Sequence, residues 1–169
     1  YRMSHTHHKA QAPSHIGCVI ITCSDSRTKE NDISGQLIIQ LLKNEGHTTE
    51  HYEIVKDEPS QIRNAINNNL ILEAIQAIII NGGTGVSKRD STYETVNAIL
   101  DKRLDGFGEV FRFLSYEEIG SPAILSRAIA GVSKGTVVFA LPGSKNAVRL
   151  AMEKLILPEL SHIVGELVR

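Results

Sequence analysis

Three stretches of this chain are almost continuously apolar over the length of one strand: Gly17-Cys18-Val19-Ile20-Ile21-Thr22-Cys23, Ala77-Ile78-Ile79-Ile80 and Thr136-Val137-Val138-Phe139-Ala140-Leu141. A strand without polar alternation is buried on both faces, the condition of a parallel sheet covered by helices on each side. Each run is followed by apolar residues at helical spacing: Leu37, Ile38, Leu41 and Leu42, then Val96, Ile99, Leu100 and Leu104, then Val148, Leu150, Ala151 and Leu155. His51-Tyr52-Glu53-Ile54-Val55 alternates instead, so it belongs nearer the sheet edge, and Ile62, Ala65 and Ile66 form the helix face behind it. The pattern is α/β, with a mostly parallel sheet and the carboxyl ends of its strands along one edge.

With 169 residues, one domain is expected, running from 16 to 169 behind a flexible tail at 1–15 that carries His5, His7 and His8. A net charge of −1 without a basic cluster argues against a nucleic-acid partner. No apolar run approaches the ~20 residues of a membrane helix, and the expected location is the cytoplasm. Cys18 and Cys23 are five positions apart on one strand, so they face opposite ways at roughly 16 Å and read as buried, reduced thiols. Helices are expected over 106–120, 121–131 and 158–169. Phe107, Phe111 and Phe113, three of the four Phe residues, fall within seven positions, which fits either a subunit interface or additional core packing.

The loops after the strands carry the chemistry. Asn81-Gly82-Gly83-Thr84-Gly85-Val86-Ser87-Lys88-Arg89-Asp90-Ser91-Thr92 lies between strand and helix. Gly82, Gly83 and Gly85 allow a tight turn and a close backbone approach, and amides in such a turn meet anions. Thr84, Ser87, Lys88, Arg89 and Asp90 add hydroxyls and charge, and Ser91-x-x-Glu94 fits a capping box. Ser24-Asp25-Ser26-Arg27-Thr28 either contributes to a site or caps the next helix. Asp57 stands where an N-cap would, and equally at the end of a strand. Pro142-Gly143-Ser144-Lys145-Asn146 repeats the design. Brought to one edge, these loops supply amides, hydroxyls, cations and carboxylates suited to a polyphosphate with Mg²⁺. The fingerprints GxGxxG and GxxxxGK[ST] are absent, as is any Cys/His metal spacing.

At GGTGVSKRD, together with SDSRT, VKDEP, FGEVFRFLSYEEIG, LSRAIAG and LPGSKNAVRLA, the chain closely resembles the MoaB/MogA family of molybdenum cofactor biosynthesis, and its MoaB branch in particular. The resemblance runs from about Gly17 to the C-terminus. It implies a Rossmann-like, three-layer α/β/α sandwich, a homotrimer or homohexamer, and adenylyl transfer from ATP to molybdopterin with Mg²⁺. By similarity, Asp57 and Asp90 are the catalytic acids, with Asp90 also a Mg²⁺ ligand. Gly82, Gly83, Thr84, Gly85, Ser87 and Arg89 hold the nucleotide, while Ser24, Asp25, Pro142, Gly143, Ser144 and Lys145 line the pterin and phosphate side. The chain departs from the family pattern at Lys88, Tyr93 and Lys145. Two functions are implied, an adenylyltransferase or a non-catalytic pterin-binding scaffold, and the presence of both Asp57 and Asp90 favours the enzyme.

Overall fold

The structure, a computed structural model, describes residues 12–169. The expected tail up to residue 11 lies outside the described residues. Ala12 already packs on Gly165, where an added Cβ would stand 3.4 Å from it. In chain order the elements are β1 (Gly17–Cys23), α1 (Ile33–Asn44), β2 (Thr48–Val55), α2 (Pro59–Leu70), β3 (Ala77–Asn81), α3 (Thr92–Ile99), β4 (Lys102–Arg103) and α4 (Asp105–Ile119). They continue as a 3₁₀ turn (Ser121–Leu125), β5 (Ile129–Ser133), β6 (Thr136–Leu141), α5 (Lys145–Ala151), a π-helical turn (Met152–Ile156) and α6 (Leu157–Leu167). The strands form one sheet in the order β2-β1-β3-β6-β5-β4. β2, β1, β3 and β6 run parallel, as the apolar runs require, and β5 and β4 are added antiparallel.

The two-residue period of a strand divides the core into two layers. Cys18, Ile20, Ala77, Ile79, Val137 and Phe139 face α1, α4, α5 and α6; Val19, Ile21, Cys23, Ile78, Ile80, Val138 and Ala140 face α2 and α3. This is the expected α/β/α sandwich. Cys18 and Cys23 fall in opposite layers, both buried and free. Burial pushes both thiols up to about 12, so neither is a thiolate near neutral pH.

Two expectations are corrected. Residues 121–131 do not make a helix: after the 3₁₀ turn the chain enters β5, which forms a hairpin with β6. Lys134 at φ 49° and Gly135 at φ 79° supply the two left-handed residues of a primed two-residue turn, and Lys-Gly between two apolar runs was the available signal. Nor is the last helix a separate short element, because α5 continues through the π-helical turn into α6. Pro158 has no N–H to return to the preceding turn, and its ring opposes the carbonyl four residues back. The wider turn, in which the Leu157 amide donates to the Met152 carbonyl, takes up that mismatch.

The Phe cluster divides. Phe111 is 1% exposed, and the Phe107 ring meets Phe139 edge-on at 5.3 Å, so both pack inside the protomer. Phe113 is 60% exposed. No helix among the described residues is long and apolar enough to cross a membrane.

Candidate functional site

In the register of the sheet, Thr22 pairs with Asn81 and Asn81 with Leu141, so β1, β3 and β6 end at one level and release their loops side by side. β2 lies on one side of β1 and β3 on the other, so chain order reverses at β1, the position at which open α/β sheets leave a crevice. A cleft of about 510 Å³ opens there. Ser24, Arg27, Asp57, Gly82, Gly83, Thr84, Gly85, Asp90, Pro142, Gly143 and Ser144 form its polar wall; Phe111, Ile119, Ala123 and Leu125 contribute an apolar one. The loops touch at their roots. A Cβ on Gly82 would stand 2.3 Å from the Cys23 carbonyl oxygen, and one on Gly143 would stand 3.1 Å from the Gly82 Cα.

Gly82 and Gly83 have φ of 95° and 70°, the left-handed region that glycine enters at least cost. A side chain on Gly83 would also meet Thr92 Oγ1 at 2.3 Å and Asp57 Oδ1 at 2.8 Å. The Gly83 carbonyl accepts from the Thr92 amide (3.0 Å), and the far end of the loop closes as Asp90 Oδ2 accepts from the Ser87 amide (2.9 Å) and hydroxyl (2.7 Å). Among the described residues the amides of Gly83, Thr84, Gly85 and Val86 donate to no protein acceptor. A glycine turn with free amides over a cleft is a cradle for anionic oxygens.

Asp57 is not the cap that its position suggested. Glu58 occupies the N-cap of α2 and makes no side-chain capping bond, while Asp57 Oδ1 is buried and has no hydrogen-bond partner among the described residues. Burial, then the nearby Asp25 and Asp90 carboxylates, hold the Asp57 carboxyl above its usual range. The Ser91–Glu94 capping box is also missing: Ser91 makes no side-chain capping bond, and Glu94 pairs instead with Arg127. Arg89 does not line the cleft. It grips both oxygens of Asp25 at 3.0 and 2.9 Å and Glu58 at 2.6 Å, tying the first loop to the start of α2. That hydrogen bond is the main reason the Asp25 carboxyl lies below its ordinary range.

The first loop is a turn rather than a cap. Ser24 Oγ accepts from the amides of Ser26 (3.2 Å) and Arg27 (3.1 Å), whereas α1 is capped by Asp32, which accepts from the Gly35 amide at 3.1 Å. Asp32 is fully buried and also accepts from Thr22 Oγ1 (2.6 Å) and the Tyr52 hydroxyl, with Arg27 Nη1 at 3.5 Å. Burial, then this bond to Asp32, raises the Tyr52 hydroxyl above its ordinary range. Arg27 in turn donates to Asn81 Oδ1 (3.4 Å) and the Gly143 carbonyl (2.9 Å), and Ser34 Oγ donates to the same carbonyl at 2.7 Å. The buried carboxylate thereby holds a guanidinium on the cleft wall between all three loops.

Residues 19–162 match the sequence profile of a family described as "Probable molybdopterin binding domain". The chain belongs to this family, the MoaB/MogA family of molybdenum cofactor biosynthesis. It is 55% identical over 168 residues to the molybdenum cofactor biosynthesis protein B of Bacillus cereus, covering 99% of each chain. A crystal structure of a molybdenum cofactor biosynthesis protein B superposes with a TM-score of 0.91 at 55% identity, over 94% of this chain and 99% of that one. The tungsten cofactor synthesizing protein MoaB of Pyrococcus furiosus superposes at 0.84 with 39% identity, over 94% and 100%.

Of the residues assigned by resemblance to this family, Ser24, Asp57, Gly82, Gly83, Thr84, Gly85, Asp90, Pro142, Gly143 and Ser144 meet on the cleft. Asp25, Ser87, Arg89 and Lys145 do not line it: Asp25 and Arg89 neutralise each other beside it, Ser87 serves the Asp90 turn, and Lys145 is exposed on the first turn of α5. Arg27, Phe111, Ser115, Ile119 and Leu125 line it without having been assigned. Arg27 stood in plain view in SDSRT, and its inward turn follows only from the buried Asp32. The apolar wall comes from α4 and the 3₁₀ turn, well beyond the glycine loop in the chain.

Proposed function

We propose that this chain binds molybdopterin and ATP in the cleft and transfers the adenylyl group, giving adenylyl-molybdopterin and pyrophosphate. The observation that carries the reading is Asp57 Oδ1, a buried acceptor with no partner among the described residues, beside a glycine loop whose amides are likewise unpaired there. A fold tolerates such atoms where a ligand completes them. In the transfer a molybdopterin phosphate oxygen bonds to the α-phosphorus of ATP, and the bond to the bridging oxygen breaks, its electrons leaving with pyrophosphate. The loop amides and Arg27 would hold phosphate oxygens in line, which is most of what phosphoryl-type transfer asks of a protein. The apolar wall of Phe111, Ile119 and Leu125 suits the flat face of a ring.

Oxygen donors alone fit Mg²⁺. Among the described residues no three His, Cys, Asp or Glu side chains are grouped to hold an ion, so Asp57 and Asp90 would share it with substrate phosphates, the habit of that cation. When bound, it would neutralise charge on those phosphates. The proposed assembly is a homotrimer or homohexamer, supported by the exposed Val110, Phe113, Ile119 and Ile124 of α4 and the turn after it.

The test incubates pure protein with molybdopterin, ATP and Mg²⁺ and looks by mass spectrometry for adenylyl-molybdopterin with stoichiometric pyrophosphate. Molybdopterin binding without product would assign the chain to the non-catalytic scaffold reading instead.

A further inference from the structure

We propose that Arg127 is the positioning residue of the glycine loop, fixing its peptide planes so that its amides face the cleft. Between the Gly83 carbonyl and the Ser87 amide, the loop backbone has no other protein partner among the described residues. Arg127 Nε donates to the carbonyls of Thr84 (3.3 Å) and Gly85 (2.9 Å), and Nη2 donates again to Gly85. The remaining side of the guanidinium pairs with Glu94, and its Cζ lies 5.2 Å from the centre of the Tyr93 ring. Glu94 and Tyr93 stand on the first turn of α3, so the arginine ties the loop to the helix that follows it.

The direction of this grip matters. Arg127 lines a neighbouring groove with Tyr93, Arg103 and Arg112, and is absent from the lining of the cleft, which Thr84 and Gly85 share. A trans peptide places its N–H opposite its C=O, and no peptide among the described residues is cis. Carbonyls of Thr84 and Gly85 drawn toward Arg127 therefore send the amides of Gly85 and Val86 the other way, toward the cleft. Arginine is required because one planar fork reaches two carbonyls and a carboxylate together; a lysine ammonium is a single point. Arg127 touches neither substrate in this arrangement, and it acts through the loop.

The inference rests on the proposed ligand site, and its experiment separates the two. In the full chain, wild type is compared with Arg127→Gln and Arg127→Lys, first without ligand by ¹⁵N relaxation, then by calorimetry with Mg·ATP. The backbone order parameters of Gly85 and Val86 should fall from the rigid value near ~0.85 to below ~0.6 in both variants, while β3 and α3 stay unchanged. Mg·ATP affinity should drop about tenfold in both. The ammonium of the Arg127→Lys variant keeps a positive charge opposite Glu94, so behaviour indistinguishable from wild type in that variant would make the ion pair the working contact and overturn the positioning role. Unchanged order parameters would overturn it whatever the protein binds. A loosened loop with unaltered affinity would overturn it as well. If wild type itself binds no Mg·ATP, the proposed function fails and the relaxation comparison still decides the clamp; if Arg127→Gln does not fold, Arg127→Lys carries the test alone.

Discussion

Asp57→Asn should make the protein more stable and the proposed enzyme inactive. In the wild type, Oδ1 is buried without a donor, and the carboxyl faces the Asp25 and Asp90 charges. An unsatisfied buried acceptor costs about 1–3 kcal/mol. Because the residue is only half-buried, the low end applies, and about 1 kcal/mol corresponds to a rise in Tm of about 2–4 °C for a domain of this size. Asn removes the charge and brings an N–H₂ that can meet Thr92 Oγ1, the other buried unpaired atom beside Gly83. The pH dependence has a defined sign. The folded-state pKa of Asp57 is raised, so its contribution to stability is present in acid and lost as pH rises through that value. The advantage of Asn over wild type should therefore grow as pH rises from the ordinary Asp range near 3.8 through the raised folded-state value, and vanish below that range. Thermal unfolding at a series of pH values measures it. An Asn variant less stable than wild type at pH 7, or an advantage that persists in acid, would refute the account. In parallel, adenylyl transfer should fall at least ~100-fold, the scale of removing a principal electrostatic group.

Asp90→Asn keeps an oxygen to accept from Ser87, so the loop should hold its shape; transfer should fall at least ~100-fold with molybdopterin affinity within about threefold, and near-normal turnover would reduce Asp90 to a turn-former. Tyr52→Phe withdraws one donor from the buried Asp32 carboxylate and should cost about 1.5–3 kcal/mol in urea unfolding, together with weaker nucleotide binding through Arg27; a loss below ~0.5 kcal/mol would show that the network does not depend on it. Phe111→Ala should cost about 3–5 kcal/mol as a core truncation. Phe113→Asp should alter protomer stability by no more than ~0.5 kcal/mol yet lower the oligomer mass seen by light scattering, and an unchanged mass would remove Phe113 from any interface.

What was legible in the chain was whatever repeats locally. The β-branched runs at 17–23, 77–80 and 136–141 specify buried parallel strands because no half-exposed strand would carry them, and helix stripes between them dictate crossovers. From those two facts the loops had to share an edge, so GGTG, SDS and PGS were bound to meet. β5 was hidden because Ile129, Ala130, Gly131 and Val132 have the small, mixed character of either element. Only pairing with β6 through the Lys134-Gly135 turn, and the room that Gly131 leaves for the Lys102 carbonyl at 2.3 Å from a Cβ, makes it a strand.

The site divides along the same line. That glycines, hydroxyls and acids gather at the strand ends follows from order in the chain alone. Which of them faces a ligand follows from partners far away in sequence. Asp25 removes Arg89 from the cleft, Asp32 turns Arg27 into it, Arg127 takes Glu94 from its capping role, and Asp57 Oδ1, without a hydrogen-bond partner among the described residues, is left open. Each choice is a contest between charges that meet only after the chain has folded. Periodicity, a property of neighbours, can set the scaffold, but the orientation of a side chain is decided by whichever counter-charge tertiary packing brings within reach.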